Sequence, residues 1–181
     1  MNTIKDLKYK VIKDFLTKEE IKLLTDYCRI KHRLNINEFD FVQNKNGDTG
    51  YYGDPIMESL MINKLGIMQK ETNLQLLPTY SFWRMYSINA DLKKHLDRES
   101  CEISVTVMIG SDGVEWPIFI EGKKITLFPG EAVVYLGCEL EHWREKFKGD
   151  WQAQTFLHYV EKDGINKEWF RDKRSLFGEK R

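Results

Sequence analysis

Cysteine, proline and histidine are all scarce in this chain of 181 residues: three, four and four respectively. Cys28, Cys101 and Cys138 are far apart and form no C-x-x-C. With an odd count and no zinc C-x-x-C, the reading is reduced thiols in a cytoplasmic protein. Neither sign of charge is in surplus, with 28 Lys+Arg against 28 Asp+Glu. A generic nucleic-acid coat carries a basic excess, so nucleic acid is not an expected partner. No apolar run approaches the ~18 residues of a membrane span, and residues 1–8 lack the apolar segment of a secretory leader. There is no G-x-G-x-x-G and no P-loop, which removes the usual dinucleotide and phosphate cradles. What is present is 13% aromatic and 31% charged residues, a composition that orders rather than disorders a chain. A chain of this length buries about 70% of its unfolded surface, so one domain over 1–181 is expected.

Residues 8–12 read as a short strand. Thr17 followed by Glu20 forms a capping box, and Ile21, Leu24 and Cys28 continue with helical spacing, so a helix is expected over about 18–31. Residues 35–54 mix Asn44, Asn46, Gly47, Gly50 and Gly53 with Phe39, Phe41, Tyr51 and Tyr52. This reads as a long loop, either a lid or a plain disordered excursion. Pro55 suits the first position of a second helix reaching about residue 71, its methionines serving as core filler. After Pro78 the period changes to two. Tyr80, Phe82, Arg84 and Tyr86 alternate with Ser81, Trp83 and Met85, and Ile103 to Ile109 alternate likewise. Further β-like runs fall at 117–121, 124–128, 132–136 and 153–160, separated by Asp-Gly, Glu-Gly and Pro-Gly turns. Strands this short and closely spaced make the fold mainly β, a sandwich or barrel in an α+β setting. A closing helix is expected over 165–175.

One of the four histidines lies in His95-Leu96-Asp97, an H-x-D. In extended backbone, residues i and i+2 share a face, about 6.5–7 Å apart. An imidazole and a carboxylate can therefore converge on one metal, with His142 the natural third ligand. Two histidines and a carboxylate on one face of an octahedron leave three positions open, the arrangement of non-haem Fe(II) oxygenases. Four histidines and 12 aspartates would give roughly 0.27 such motifs by chance, so the motif gains weight only from its setting. His95 stands between two strands, and His142 follows the 132–136 strand through a turn at Gly137. His32 reads as a complement to a helix C-terminus, and His158 as a satisfied inward-facing histidine. Cys101 and Cys138 read as packed thiols.

The stretches Leu77–Tyr86, His95-Leu96-Asp97-Arg98 and Cys101–Ser104, with Pro129–Gly137 and His142-Trp143-Arg144-Glu145, resemble the Fe(II)/2-oxoglutarate-dependent dioxygenase superfamily, in its prolyl-4-hydroxylase-like branch. The opening Phe15–Glu20 is similar as well, and the resemblance covers residues 9–160. It implies a double-stranded β-helix, or jelly roll, with N-terminal helices packed on one sheet. It implies that His95, Asp97 and His142 hold Fe(II), and that Tyr86 hydrogen-bonds the co-substrate 2-oxoglutarate. O2 and ascorbate join the expected cofactor set. The implied reaction hydroxylates a peptide side chain, prolyl among them, or a small molecule, and converts 2-oxoglutarate to succinate. The other reading is a non-catalytic, cupin-like β-sandwich that binds a metal or ligand.

One departure stands out. The family pattern places a Lys or Arg roughly ten residues beyond the distal histidine, paired with the far carboxylate of 2-oxoglutarate. Here that window holds Trp151, Gln152, Ala153 and Gln154. A buried dicarboxylate needs a basic partner. Arg144, on the His142 face if the chain stays extended, is the first substitute, and Arg84, on the Tyr86 face, is the second. Lys148 and His158 are weaker ones.

Overall fold

The computed structural model describes residues 2–34 and 47–179. In chain order the elements are α1 (Ile4–Leu7), β1 (Tyr9–Ile12), α2 (Lys18–Leu34), β2 (Thr49–Tyr52), α3 (Pro55–Asn63) and α4 (Leu65–Thr72). There follow β3 (Leu76–Ser87), β4 (Leu92–His95), β5 (Ile103–Ser111), β6 (Ile118–Ile120) and β7 (Lys123–Ile125). The last strands are β8 (Ala132–Leu136), β9 (His142–Arg144) and β10 (Trp151–Glu161). All pairings are antiparallel, in a six-stranded sheet ordered β1-β8-β5-β10-β3-β2 and a four-stranded sheet ordered β4-β9-β6-β7. Helices α2, α3 and α4 lie against β3, β5 and β10, as expected of N-terminal helices on one sheet.

Alternation along β3 sorts its side chains between two faces. Trp83 and Met85 join the main core, with Leu24, Cys28, Met57 and Met61. Asp54 ties that layer together. Its Oδ1 caps α3 by accepting from the Ile56 N–H at 3.1 Å, and its Oδ2 accepts from the Tyr27 hydroxyl at 2.6 Å and the Trp83 indole at 3.1 Å. The other face of β3 presents Tyr80, Phe82, Arg84 and Tyr86 to a cavity.

The capping box at Thr17 forms with both of its bonds, Thr17 N–H to Glu20 at 2.8 Å and Glu20 N–H to Thr17 at 3.2 Å. The helix runs three residues further than the spacing suggests. The single helix expected after Pro55 is broken at Lys64, where ψ is −3° and the buried ammonium is held by Glu20 at 2.7 Å. The lid-or-loop segment falls partly outside the described residues, at 35–46. Its end, Thr49–Tyr52, is not loop but an edge strand on β3. The closing helix expected at 165–175 is a 3-10 segment over Lys167–Lys173, with Arg171 and Asp172 at positive φ. Long-range ties override helix propensity there. The Arg98 guanidinium donates two bonds to Asp172, both 2.7 Å, and the Tyr52 hydroxyl donates a third at 2.5 Å.

Candidate metal centre

The pairing of β4 with β9 sets His95 directly opposite His142, their rings 4.3 Å apart. Asp97 stands just past the end of β4, where its N–H donates to the Gly137 carbonyl at 2.9 Å. Asp97 Oδ1 then lies 3.6 Å from His95 Nε2 and 3.5 Å from His142 Nε2. The turn at Gly137 therefore fixes the carboxylate against the two strand-borne imidazoles.

Hydrogen bonds decide which nitrogens are free. His95 Nδ1 is 2.7 Å from the Lys93 carbonyl, and His142 Nδ1 is 2.9 Å from the Leu140 carbonyl. A carbonyl only accepts, so both Nδ1 atoms carry the proton and both Nε2 lone pairs face Asp97. Backbone anchoring of the far ring nitrogen is how metal-binding histidines are oriented. Burial pushes the Asp97 carboxyl up, but the two imidazoles beside it outweigh that and hold the group well below the ordinary carboxylate range. The Asp97 carboxylate beside it raises His95. The two separations, 3.6 and 3.5 Å, are about half an ångström wider than the ~3.0 Å between adjacent ligands of an octahedral centre with ~2.1 Å bonds, so a small inward turn of the side chains closes the site on a metal. A neutral His pair with one carboxylate, and no thiolate among the three, suits a labile redox metal such as Fe(II).

The three residues line a cavity of about 450 Å³ that opens between the two sheets. Tyr86 lines it too, buried, with its ring edge-on to Trp116 at 4.8 Å. Arg84 lines it as well, but its guanidinium is paired with the buried Asp48 at 2.7 Å. Arg144 is buried beside Trp116 and outside the cavity lining. Among the described residues Arg144 has no carboxylate partner. It donates to the Trp116 carbonyl, stands 4.9 Å over the Trp116 ring, and leaves Nε without a partner. Burial pulls its guanidinium down to about 10. In the window where a cation was missing, Gln154 sits opposite Arg84 across β10 and β3, with neither amide atom hydrogen-bonded among the described residues.

Some contacts at the site are not legible in the sequence, although His158 is the satisfied inward-facing histidine expected of it. Ser104 donates to Asp97 Oδ2 at 2.8 Å, and His158 Nδ1 is 3.0 Å from the Ser104 hydroxyl. Cys101 is more than a packed thiol. It lines the cavity with Sγ 3.1 Å from the Tyr80 hydroxyl, and burial pushes it up to about 12. Ser104 and Cys101 fall inside a stretch with family resemblance, yet nothing in the sequence says that β5 and β10 bring Ser104 to His158.

Burial lowers His158 to about 4, from 6.5 in a free chain. Between those values the unfolded chain binds a proton that the folded protein refuses. The corresponding stability is complete above pH 6.5 and lost as the pH falls to 4, about 3 kcal/mol in all. With metal removed by chelator, urea midpoints measured across that range should fall steeply for the wild type and less steeply for His158→Gln. Parallel curves would contradict the assignment.

No family model matches the sequence, and no curated protein does. Solved structures do match. A prolyl-4-hydroxylase from Pseudomonas putida superposes with a TM-score of 0.65 at 19% identity, over 88% of this chain and 97% of its own. EctD from S. alaskensis, solved with 2-oxoglutarate and 5-hydroxyectoine, gives 0.68 at 13% identity, over 92% and 80%. SnoK, a non-haem α-ketoglutarate-dependent carbocyclase of nogalamycin biosynthesis, gives 0.70 at 11% identity, over 89% and 82%. The chain therefore has the fold of the Fe(II)/2-oxoglutarate-dependent oxygenases. A viral collagen prolyl hydroxylase shares that fold too, with a TM-score of 0.63 at 12% identity, over 84% of this chain and 94% of its own. Among the described residues no helix is long and apolar enough to cross a membrane.

Proposed function

We propose that this chain is an Fe(II)- and 2-oxoglutarate-dependent dioxygenase of the cytoplasm. Its two sheets are read as one double-stranded β-helix, in a single domain over residues 1–181. The observation that carries the reading is the convergence of His95 Nε2, Asp97 Oδ1 and His142 Nε2 in the wall of the cavity. Iron(II) on these three atoms would supply O2 activation, coupling decarboxylation of 2-oxoglutarate to succinate and CO2 with hydroxylation of a substrate C–H bond. The protein's own part is to hold and to shield. His95 and His142 keep their Nε2 lone pairs aimed inward through their Nδ1 bonds. Tyr86 offers a hydroxyl to the co-substrate; Arg144, set back from the cavity lining beside Trp116, supplies positive charge for the distant carboxylate, and Arg84, in the lining but held by Asp48, is the second candidate. Phe82 and Phe156, with ring centroids 6.3 Å apart, wall the cavity with apolar surface and limit water. A cavity of about 450 Å³ suits a single inserted side chain or a small molecule, so the substrate is a peptide side chain, prolyl among them, or a free metabolite.

Anaerobic addition of Fe(II) and then 2-oxoglutarate should produce a weak visible charge-transfer band, absent in His95→Ala. Under air the wild type should release succinate slowly even without substrate. If neither signal appears in folded wild-type protein, the chain is a binding module.

A further inference from the structure

Asp97 divides its two oxygens between two tasks. Oδ1 faces the imidazole pair, whereas Oδ2 takes the Ser104 hydroxyl at 2.8 Å. Ser104 is fully buried and has one proton to give. The Asp97 carboxylate at 2.8 Å is a nearer and stronger acceptor than the Cys101 carbonyl at 3.1 Å. With that proton spent, the contact to His158 at 3.0 Å requires His158 Nδ1–H to donate to Ser104 Oγ. The bonds thus run in one direction, His158 to Ser104 to Asp97. On its other side Oδ2 is walled by Gly137, where a Cβ would stand 2.6 Å away.

Denticity matters at such a site. A carboxylate bound through one oxygen leaves three of six positions open, enough for a two-point co-substrate and O2, whereas one bound through both leaves two. We propose that Ser104 and His158 are positioning residues that hold Asp97 to one-oxygen ligation. The proposal rests on the metal reading of His95, Asp97 and His142. Ser104 acts by occupying Oδ2, and His158 acts by fixing which way the Ser104 hydroxyl points.

The test uses Mn(II) in place of iron and reads the longitudinal relaxation of water protons, which counts waters on the metal. With His95, Asp97 Oδ1 and His142 as its protein ligands, Mn(II) would leave three of six positions to water. Ser104→Ala frees Oδ2 to join Oδ1, so the inner-sphere relaxation should drop by about one third. His158→Asn keeps an N–H where Nδ1–H stood and should remain near wild type, whereas His158→Leu should move toward Ser104→Ala. If Ser104→Ala does not fold, the His158→Asn and His158→Leu pair makes the same comparison. Equal relaxation in wild type and Ser104→Ala, or in the two His158 variants, overturns the proposal while leaving the metal site standing. Folded wild type that takes up no Mn(II) overturns the metal reading and this inference with it.

Discussion

An Arg144→Met chain is expected to need several hundred times more 2-oxoglutarate for half-saturation, yet to melt no lower than the wild type when metal and co-substrate are absent. Both halves follow from one feature, a buried guanidinium with no carboxylate partner among the described residues. Taking one member from a buried ion pair costs about 3–5 kcal/mol, which is a factor of a few hundred to a few thousand in affinity. If Arg144 answers the far carboxylate of the co-substrate, that is its loss on substitution. In the empty protein the same cation is a burden, as its depressed proton affinity records. Exchanging a buried charge for apolar volume is often neutral or stabilising by about 1–4 kcal/mol. The lost bond to the Trp116 carbonyl returns about 1 kcal/mol of that. Titrating the charge-transfer band gives the first quantity and thermal melting the second. Arg84→Met should behave differently, because it strands the buried Asp48 and must destabilise the empty fold. An unchanged 2-oxoglutarate requirement in Arg144→Met would transfer the role to Arg84, which lines the cavity directly.

What the sequence discloses is whatever repeats or lies close along the chain. The alternation through Tyr80–Tyr86 marks a strand with one face to the core and one to the cavity, and Thr17 with Glu20 marks where α2 begins. His95 and Asp97 are two residues apart, so their shared direction is a property of extended backbone. His142 needs only the further assumption of a β turn at Gly137. Long-range pairings leave no such trace. Asp48 and Arg84 are 36 residues apart, Arg98 and Asp172 are 74, and Ser104 and His158 are 54. Each depends on which strands or segments become neighbours, and no local period reports that. The Asn- and Gly-rich stretch around residues 44–53 hid β2 for a related reason. Its strand is decided by the free edge of β3, not by its own propensity. The segment over Lys167–Lys173 shows local preference losing to tertiary bonds, since Asp172 accepts from both Arg98 and Tyr52.

Gly137→Ala should damage both the fold and the metal site. A Cβ there would meet the Cys101 carbonyl, the Ser104 hydroxyl at 2.5 Å and Asp97 Oδ2 at 2.6 Å. Two of these belong to the group that orients the metal-facing carboxylate, and the third is backbone that cannot step aside cheaply. Overpacking of this kind costs about 3 kcal/mol, and here relief would come partly by displacing Asp97. Divalent-metal affinity should therefore fall at least about tenfold alongside the loss in melting temperature. Gly66→Ala is the matching control. It lies near the start of α4 with nothing within 4 Å of its Cβ position, so the same change should stabilise by up to about 1 kcal/mol through helix propensity. The two variants are chemically identical and should move stability in opposite directions. Wild-type melting and wild-type metal affinity in Gly137→Ala would mean that Asp97 is not held where β4, the Gly137 turn and β5 place it.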